Sequence, residues 1–526
     1  MWLSASNIWI HPVDRWNLIR KNYIGPIIKR STRFGEDFEK QRRQIMSRHE
    51  ILVKRIGLVA IANLLLNLSG IILLPILTKN LSVSEYGIWV QILVTIGLIP
   101  AIVLLGLPYS MVRFLASIKD KREIRDIFGS ISFIIIFAGL AASTAIFVLS
   151  EPIAFAIFNG DILTVRILSL IVFIECLNNI TVNYFRALQQ IKRYAAFTSL
   201  RVILNIFLVA YFVMAGYGIH GALFGLLITV VIVFISSAVA IIFDVGLTVP
   251  KIKNVRDYIV FGMPTVPGNL SSWAVSSIDR YIIGFVLGTA AVGFYSPGYT
   301  LGSMISIFMN PVSFLLPAVL SKFYDEDDLA EVRRVMNYSM RYFLGVAIPS
   351  VFGLSLLSRP ILTVLSTPEI ASQGYLITPF TSLSALFLGV YAVTSQAILL
   401  EKKTKIIGTV WIVAAILSIS LNLILVSHMG IIGAAITNLL TFAFTFVVAT
   451  HYANKYLRFS FDPIFVIKSI FASLVMSTFL VWFHPEGTRE ILICIAIGAL
   501  MYLTALLLLR GVDENEASFF KELFRN

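Results

Sequence analysis

Charge is what this chain has least of. Asp, Glu, Lys and Arg make up 13% of its 526 residues, against about 25% in an ordinary soluble domain. With 58% hydrophobic residues and a mean hydropathy of +0.86, no soluble core could absorb the apolar surface, so lipid must be the solvent for much of the chain. Cysteine is nearly missing as well. Cys176 and Cys494 are the only two, and both sit in apolar stretches, which fits packing rather than a disulfide. The six histidines (His11, His49, His220, His428, His451 and His484) form no HExxH or paired-ligand spacing, and no GxxxxGK[ST] phosphate loop occurs. ATP hydrolysis and metal-dependent chemistry are therefore excluded as readings, and no cofactor, metal or catalytic group is expected. The Asp325-Glu326-Asp327 run matches a DxD metal motif only formally. It belongs to a charged helical stretch with Arg333 and Arg334 and reads as a solvated face. Nor is there a cleavable signal peptide, because the first long apolar run is a full span.

What is present is a train of about fourteen apolar stretches, each roughly the 20 residues a spanning helix needs. They fall near 56–78, 86–116, 127–149, 162–188, 195–215, 221–243, 257–287, 291–317, 338–357, 372–400, 405–427, 430–452, 464–483 and 489–510. Basic residues crowd into every second loop, for example Lys119 to Arg125, Lys192 and Arg193, Lys251 to Arg256, Lys402 to Lys405, and Lys455 with Arg458. The alternate loops carry little beyond Lys79, Arg359 and Arg489. This positive-inside pattern predicts a polytopic protein of the cell (inner) membrane with both termini cytoplasmic. It also accounts for the net charge of +13, which meets anionic headgroups rather than nucleic acid. No outer loop has the length of a domain. The largest, 358–371, reads as a tight re-entrant connection, and the inner loop 321–337 reads as an amphipathic helix on the membrane surface.

Two blocks of six helices share a pattern. Residues 63–89 align with 269–295 at an offset of 206, pairing Gly87 with Gly293. GYGIHGALFG at 216–225 resembles HMGIIGAAIT at 428–437, each opening the last helix of its block. Six is even, so the two blocks have equal orientation and form a parallel pseudo-twofold repeat. The expected organisation is a basic N-terminal extension at 1–55, an N-lobe at 56–243, a C-lobe at 257–452, two extra helices within 464–510 and a tail at 511–526. Trp2, Trp9 and Trp16, spaced by seven, would suit an interfacial segment. Met46 competes with Met1 as the start.

Polar stripes inside the spans mark the candidate site. Helix seven carries Asp279 and Arg280 on a face shared with Asn269, Ser272 and Ser276, above a weak point at Pro264, Pro267 and Gly268. Adjacent charges in a span are costly unless paired or wetted. Either an ion pair locks this helix to a neighbour, or Arg280 faces an aqueous cavity as an anion contact. Helix one adds Asn63 and Asn67. Helix two adds Gln91 and Thr95. Helix four adds Glu175, Asn179 and Asn183. Helix five adds Arg201, and helix eight adds Tyr295, Tyr299 and Ser303. Arg113 and Arg186 sit at cytoplasmic ends and fit snorkelling. Glu175 and Asp279 are the acidic candidates for a coupling ion.

Together, LSVSEYGIWVQI at 81–92, SSIDRYIIGFVLGTAAVGFYS at 276–296 and SLNLILVSHMGIIGAAITNLL at 420–440 resemble the polysaccharide transporter family. This is the Wzx-type oligosaccharide flippase branch of the multidrug/oligosaccharidyl-lipid/polysaccharide (MOP) exporters. The resemblance covers nearly everything from about residue 46 and implies a MATE-like all-α fold with a V-shaped central cavity. It also implies alternating access driven by an ion gradient, and translocation of a polyprenyl-(pyro)phosphate-linked oligosaccharide from the inner to the outer leaflet. Membrane lipids are implied as partners, and a glycan polymerase with other export proteins as further ones. A MATE-type drug antiporter is the alternative, though helix one lacks the acidic residue such carriers use. A membrane-embedded glycan polymerase or ligase is the second alternative, though the long outer loop of such enzymes is missing. The glycan, the lipid carrier, the coupling ion and the oligomeric state are not legible.

Overall fold

The computed structural model describes residues 57–58, 61–62, 64–246, 255–457 and 462–511, apart from the side chains of residues 310, 311, 314 and 315. The expectations for the 1–55 extension, the 512–526 tail and Asn63 lie outside the described residues. Ala60–Asn526 forms one compact unit. Its regular structure among the described residues is entirely helical: α1 (Leu64–Asn80), α2 (Val83–Val103), α3 (Leu107–Leu115), α4 (Lys121–Val148), α5 (Ser150–Ile157), α6 (Ile162–Ala187), α7 (Ile191–Phe212), α8 (Gly218–Val245), α9 (Val255–Gly262), α10 (Val266–Leu287), α11 (Thr289–Ser303), α12 (Ser306–Asp325), α13 (Leu329–Leu365), α14 (Pro368–Gly374), α15 (Ile377–Leu400), α16 (Thr404–Tyr456), α17 (Pro463–Phe483) and α18 (Thr488–Leu508). Nine stretches among the described residues are long and apolar enough to cross a membrane.

Two of those nine, of 55 and 53 residues, are too long for one span and reverse at glycines. Between α7 and α8 a wider turn over Val213–Tyr217 leads to Gly216 at φ 87° and Gly218 at φ 58°. Within α16 the break is Gly430 at φ 63°. L-residues with a side chain seldom adopt such angles. A Cβ on Gly225 would lie 2.8 Å from the Val209 backbone, and one on Gly433 would lie 2.2 Å from the Leu425 carbonyl. The two glycine motifs paired in the sequence are thus hairpin corners, each with a further glycine beyond the break, Gly225 or Gly433, that lets the arms close.

Starts are set by side-chain caps. Ser82 and Glu85 form a reciprocal capping box for α2, and Asp120, Asp161, Asp328, Thr367 and Asp462 cap α4, α6, α13, α14 and α17. Three expected helices are broken. The one at 86–116 breaks at Leu105 and Gly106, both at positive φ. That at 257–287 passes through a 3₁₀ turn at Met263–Thr265, where Pro264 sits. The one at 291–317 breaks at Met304 and Ile305. Two loop expectations are corrected. Residues 321–337 hold no separate surface helix. α12 runs to Asp325, the chain turns at Asp327 (φ 62°), and α13 starts at Leu329 because Asp328 accepts the Glu331 amide. At 358–371 the helix does not end at 357 but runs to Leu365, and Thr367 then caps the short α14.

The aligned glycines meet in space. A Cβ on Gly87 of α2 would fall 1.8 Å from the Thr289 carbonyl oxygen and 3.1 Å from the Gly293 nitrogen. One on Gly293 of α11 would fall 2.1 Å from the Val83 oxygen. Ser84 and Thr289 hydroxyls bond at 2.6 Å across this contact, and Asn159 donates to Ser84 at 3.0 Å. Toward the other ends, Ser110 of α3 donates to the Tyr258 carbonyl of α9 at 2.7 Å, and Phe114 meets Tyr258 edge-on.

Candidate substrate cavity

Asp279 and Arg280 are buried side by side on α10, at 2% and 8% exposure. The Asp279 carboxylate accepts the Tyr295 hydroxyl of α11 at 2.6 Å, the Asn438 amide of α16 at 3.4 Å, and the Arg280 backbone N–H and Nη1 at 2.9 and 3.0 Å. Arg280 Nη1 also donates to the Ser276 carbonyl one turn back. Its guanidinium lies 3.8 Å from the Tyr299 ring centroid and 5.9 Å from that of Tyr295. Pairing, hydrogen bonding and stacking on aromatic faces are the conditions under which a buried cation is tolerable. The ion pair joins neighbours on α10 and does not itself reach another helix; the Tyr295 and Asn438 hydrogen bonds of Asp279 do that. Pairing does not consume the arginine, since Arg280 also lines a cavity.

That cavity holds about 400 Å³ and is walled by α1, α2, α7, α10 and α11, with Tyr86, Trp89, Asn205, Trp273, Ser276 and Arg280 on its surface. Two bonds fix α10 against α2. Trp273 Nε1 donates to the Val94 carbonyl at 3.2 Å, and the Tyr281 and Thr95 hydroxyls meet at 2.5 Å. Aromatic faces, hydroxyls, an amide and one guanidinium are the groups that recognise sugar rings and a phosphate. Among the described residues, no carboxylate is on the lining.

The other sequence candidates scatter around this centre. Tyr299 lies beneath the Arg280 guanidinium, and Ser303 donates to the Thr300 carbonyl at 2.9 Å. Asn269 is half-buried and accepts from Tyr109 at 3.5 Å, while Asn67 is exposed. Asn179 accepts from Asn183 at 3.0 Å. Gln91 is off the lining. It is fully buried, with neither amide atom bonded among the described residues, and packs where a Cβ on Gly284 would fall 1.7 Å from its Nε2. Arg201 and Glu175 pair at 2.8 Å, leaving Glu175 Oε2 buried without a partner among the described residues. Asn205, one turn beyond Arg201, is on the cavity lining, and its Oδ1 is buried and likewise unbonded among the described residues. Sequence reasoning missed Asn205, Trp273, Tyr86 and Asn438. The i, i+4 spacing from Arg201 was a usable signal for Asn205. None existed for Asn438, which meets Asp279 from 159 residues away.

Residues 76–369 match the family described as polysaccharide biosynthesis protein. The chain belongs to that family. Over 280 residues it is 22% identical to a probable low-salt glycan biosynthesis flippase, Agl15, of Haloferax volcanii, covering 52% of this chain. The chain spans about half the length of the curated relatives it matches, 58% and 50% of the first two. Among solved structures, the lipid II flippase MurJ in an inward closed conformation matches with a TM-score of 0.73 at 19% identity, over 86% of this chain and 98% of that one. An inward-facing MATE family multidrug resistance transporter of the MOP superfamily matches with 0.64 at 15% identity, over 76% and 98%. The all-α fold expected from the resemblance is borne out among the described residues: this family member is a multi-pass membrane protein with the fold that the MurJ and MATE structures share.

Proposed function

We propose that the chain is a transporter, not an enzyme, and moves a polyprenyl-(pyro)phosphate-linked oligosaccharide from the inner to the outer leaflet of the cell membrane. Both termini are then cytoplasmic, and two repeat-related six-helix lobes, 56–243 and 257–452, flank the path. The observation that carries this reading is the adjacency of a polar and an apolar chamber. Thr300 lines the cavity that holds Arg280. Met304, one turn further on, lines an apolar groove of about 550 Å³ bounded by Phe308, Val346, Met476 and Ala499. A headgroup with sugars and phosphate beside a long hydrocarbon tail has this dual character, and membership in a polysaccharide biosynthesis family supports it. In this reading Arg280, Ser276, Asn205 and Tyr299 serve the headgroup, and the groove between α13, α17 and α18 serves the tail. Glu175, with its unbonded Oε2 beside Arg201, is the site we assign to a coupling ion.

The test is transport in proteoliposomes carrying a fluorescent lipid-linked oligosaccharide, with outer-leaflet exposure read by a membrane-impermeant lectin. Wild-type protein accelerates exposure, and equal rates with and without protein reject the proposal. A drug antiporter of MATE type is the second reading because that fold is shared. A cationic substrate is disfavoured by a lining that, among the described residues, has an arginine and no carboxylate. Ion-gradient-driven efflux of a cationic dye without oligosaccharide movement would favour it instead.

A further inference from the structure

A second polar cavity lies away from the α10 site, at the end of the bundle that carries the basic loops. It holds about 570 Å³ between the start of α13 and the start of α17 and is lined by Arg333, Arg334, Asn337, Tyr338, Arg341 and Asp462. Arg334, Tyr338 and Arg341 fall at i, i+4 and i+7 on α13, with Arg333 and Asn337 on the adjoining stripe, so one helix face gathers all three guanidiniums. Arg341 is the fixed member. It lies 3.8 Å from Asp462, donates to the Gly511 carbonyl at 2.8 Å, and sits 4.9 Å from the Phe465 ring centroid. Arg334 lies 3.6 Å from Glu331 and over the Tyr338 ring at 5.7 Å. Arg333 makes no ion pair among the described residues. Among the described residues, Arg334 and Arg341 each lie within 4.0 Å of a carboxylate and Arg333 does not.

The depth of this pocket points to its ligand. α17 enters the bundle at Pro463 on the pocket wall, and its next outward residues, Ile464 and Ile467, are 62% and 66% exposed. Large aliphatic side chains exposed on a membrane helix face acyl chains. Tyr338 and Tyr342 stack at 6.1 Å beside the arginines, and Tyr is a residue of the headgroup level. The pocket therefore opens where phosphate oxygens lie just above hydrocarbon, rather than into bulk water. We propose that it binds the headgroup phosphate of a monoanionic glycerophospholipid, with Arg333 and Arg334 contacting the phosphate, Arg341 holding the wall, and the acyl chains descending along Ile464 and Ile467. The shared chemistry with a free phosphate ion is the arginine contact. The aliphatic strip below it argues for the lipid.

The experiment uses the full chain in mixed micelles of phosphatidylglycerol and phosphatidylcholine, with retained lipid counted by native mass spectrometry. Wild-type protein is expected to retain phosphatidylglycerol selectively. R333Q/R334Q is expected to lose that selectivity by about 25-fold, at about fivefold per basic side chain near an anionic surface. Both sites are exposed on α13, and an unchanged thermal midpoint verifies folding. K402Q/K403Q removes the same charge elsewhere on the basic face and is expected to leave selectivity intact. Equal loss in both double variants, or loss in neither, overturns the proposal. So does full displacement of the lipid by inorganic phosphate at matched ionic strength, which assigns a small-anion site. Retention seen only in the full-length D513N/E514Q/E516Q variant also overturns it, by giving the pocket to the chain's own acidic stretch.

Discussion

Replacing Gly87 by alanine attacks a close backbone-to-backbone contact between α2 and α11. The added Cβ would stand 1.8 Å from the Thr289 carbonyl oxygen, where a tolerated C···O approach is about 3.3 Å, so α2 and α11 must part by about 1.5 Å. Both colliding groups belong to helix backbones, and no rotamer change relieves them. Overpacking of this kind costs about 1–3 kcal/mol, which lowers the ratio of closed to open contact by about 5- to 150-fold. The natural reporter is a disulfide between cysteines at Ser84 and Thr289, whose hydroxyls are 2.6 Å apart. Cys176 and Cys494 are buried and do not compete. The S84C/T289C protein is expected to crosslink rapidly under mild oxidation. Adding G87A should slow that crosslinking, and G293A, with its own 2.1 Å collision against the Val83 oxygen, should do the same. G408A, where a Cβ meets nothing within 4 Å, is the control. Unchanged crosslinking in G87A and G293A would refute the reasoning, because the contact would then be too loose to gate anything.

The remaining predictions concern the buried charges and the misplaced amide. Tyr295→Phe removes the 2.6 Å bond to Asp279 and should cost about 1.5–3 kcal/mol of stability in a denaturant titration in detergent. Asp279→Asn leaves Arg280 buried without its counter-charge and should cost more, about 3–5 kcal/mol. The reverse ranking would mean that the carboxylate is not the centre of the cluster. Gln91→Leu replaces an amide with two unbonded buried atoms and should be neutral or stabilising in the same titration. Marked destabilisation would show that Gln91 has a partner.

The spans, the glycine motifs of the hairpin corners and the need of Asp279 and Arg280 for buried partners were legible in the sequence for one reason. Each violates what a bilayer or an L-residue tolerates, and so each is visible without a partner. Gly430 is needed because the chain reverses within a helical run, and Asp279 because an unpaired charge in a span is prohibitive. Side-chain address was not legible. Gln91 shares the polarity of Ser276 but packs against Gly284 instead of facing the cavity, since a polar stripe does not say which neighbour it meets. Asn438 contacts Asp279 only through tertiary packing of α16 on α10. The 321–337 stretch misled because an acidic run with following arginines reads equally as a surface helix or as the cap and first turns of a span. Asp328 decided for the latter.

The central claim is that Arg280 serves the phosphate of a lipid-linked headgroup while paired to Asp279. The most direct measurement is lipid-linked oligosaccharide transport by Arg280→Lys, which keeps the charge and the ion pair but loses the planar, multi-donor guanidinium. The account predicts a stable protein with the S84C/T289C crosslink unimpaired and transport reduced at least tenfold, roughly the loss of one charge-assisted hydrogen bond. Transport at the wild-type rate would contradict it and leave Arg280 a purely structural partner of Asp279.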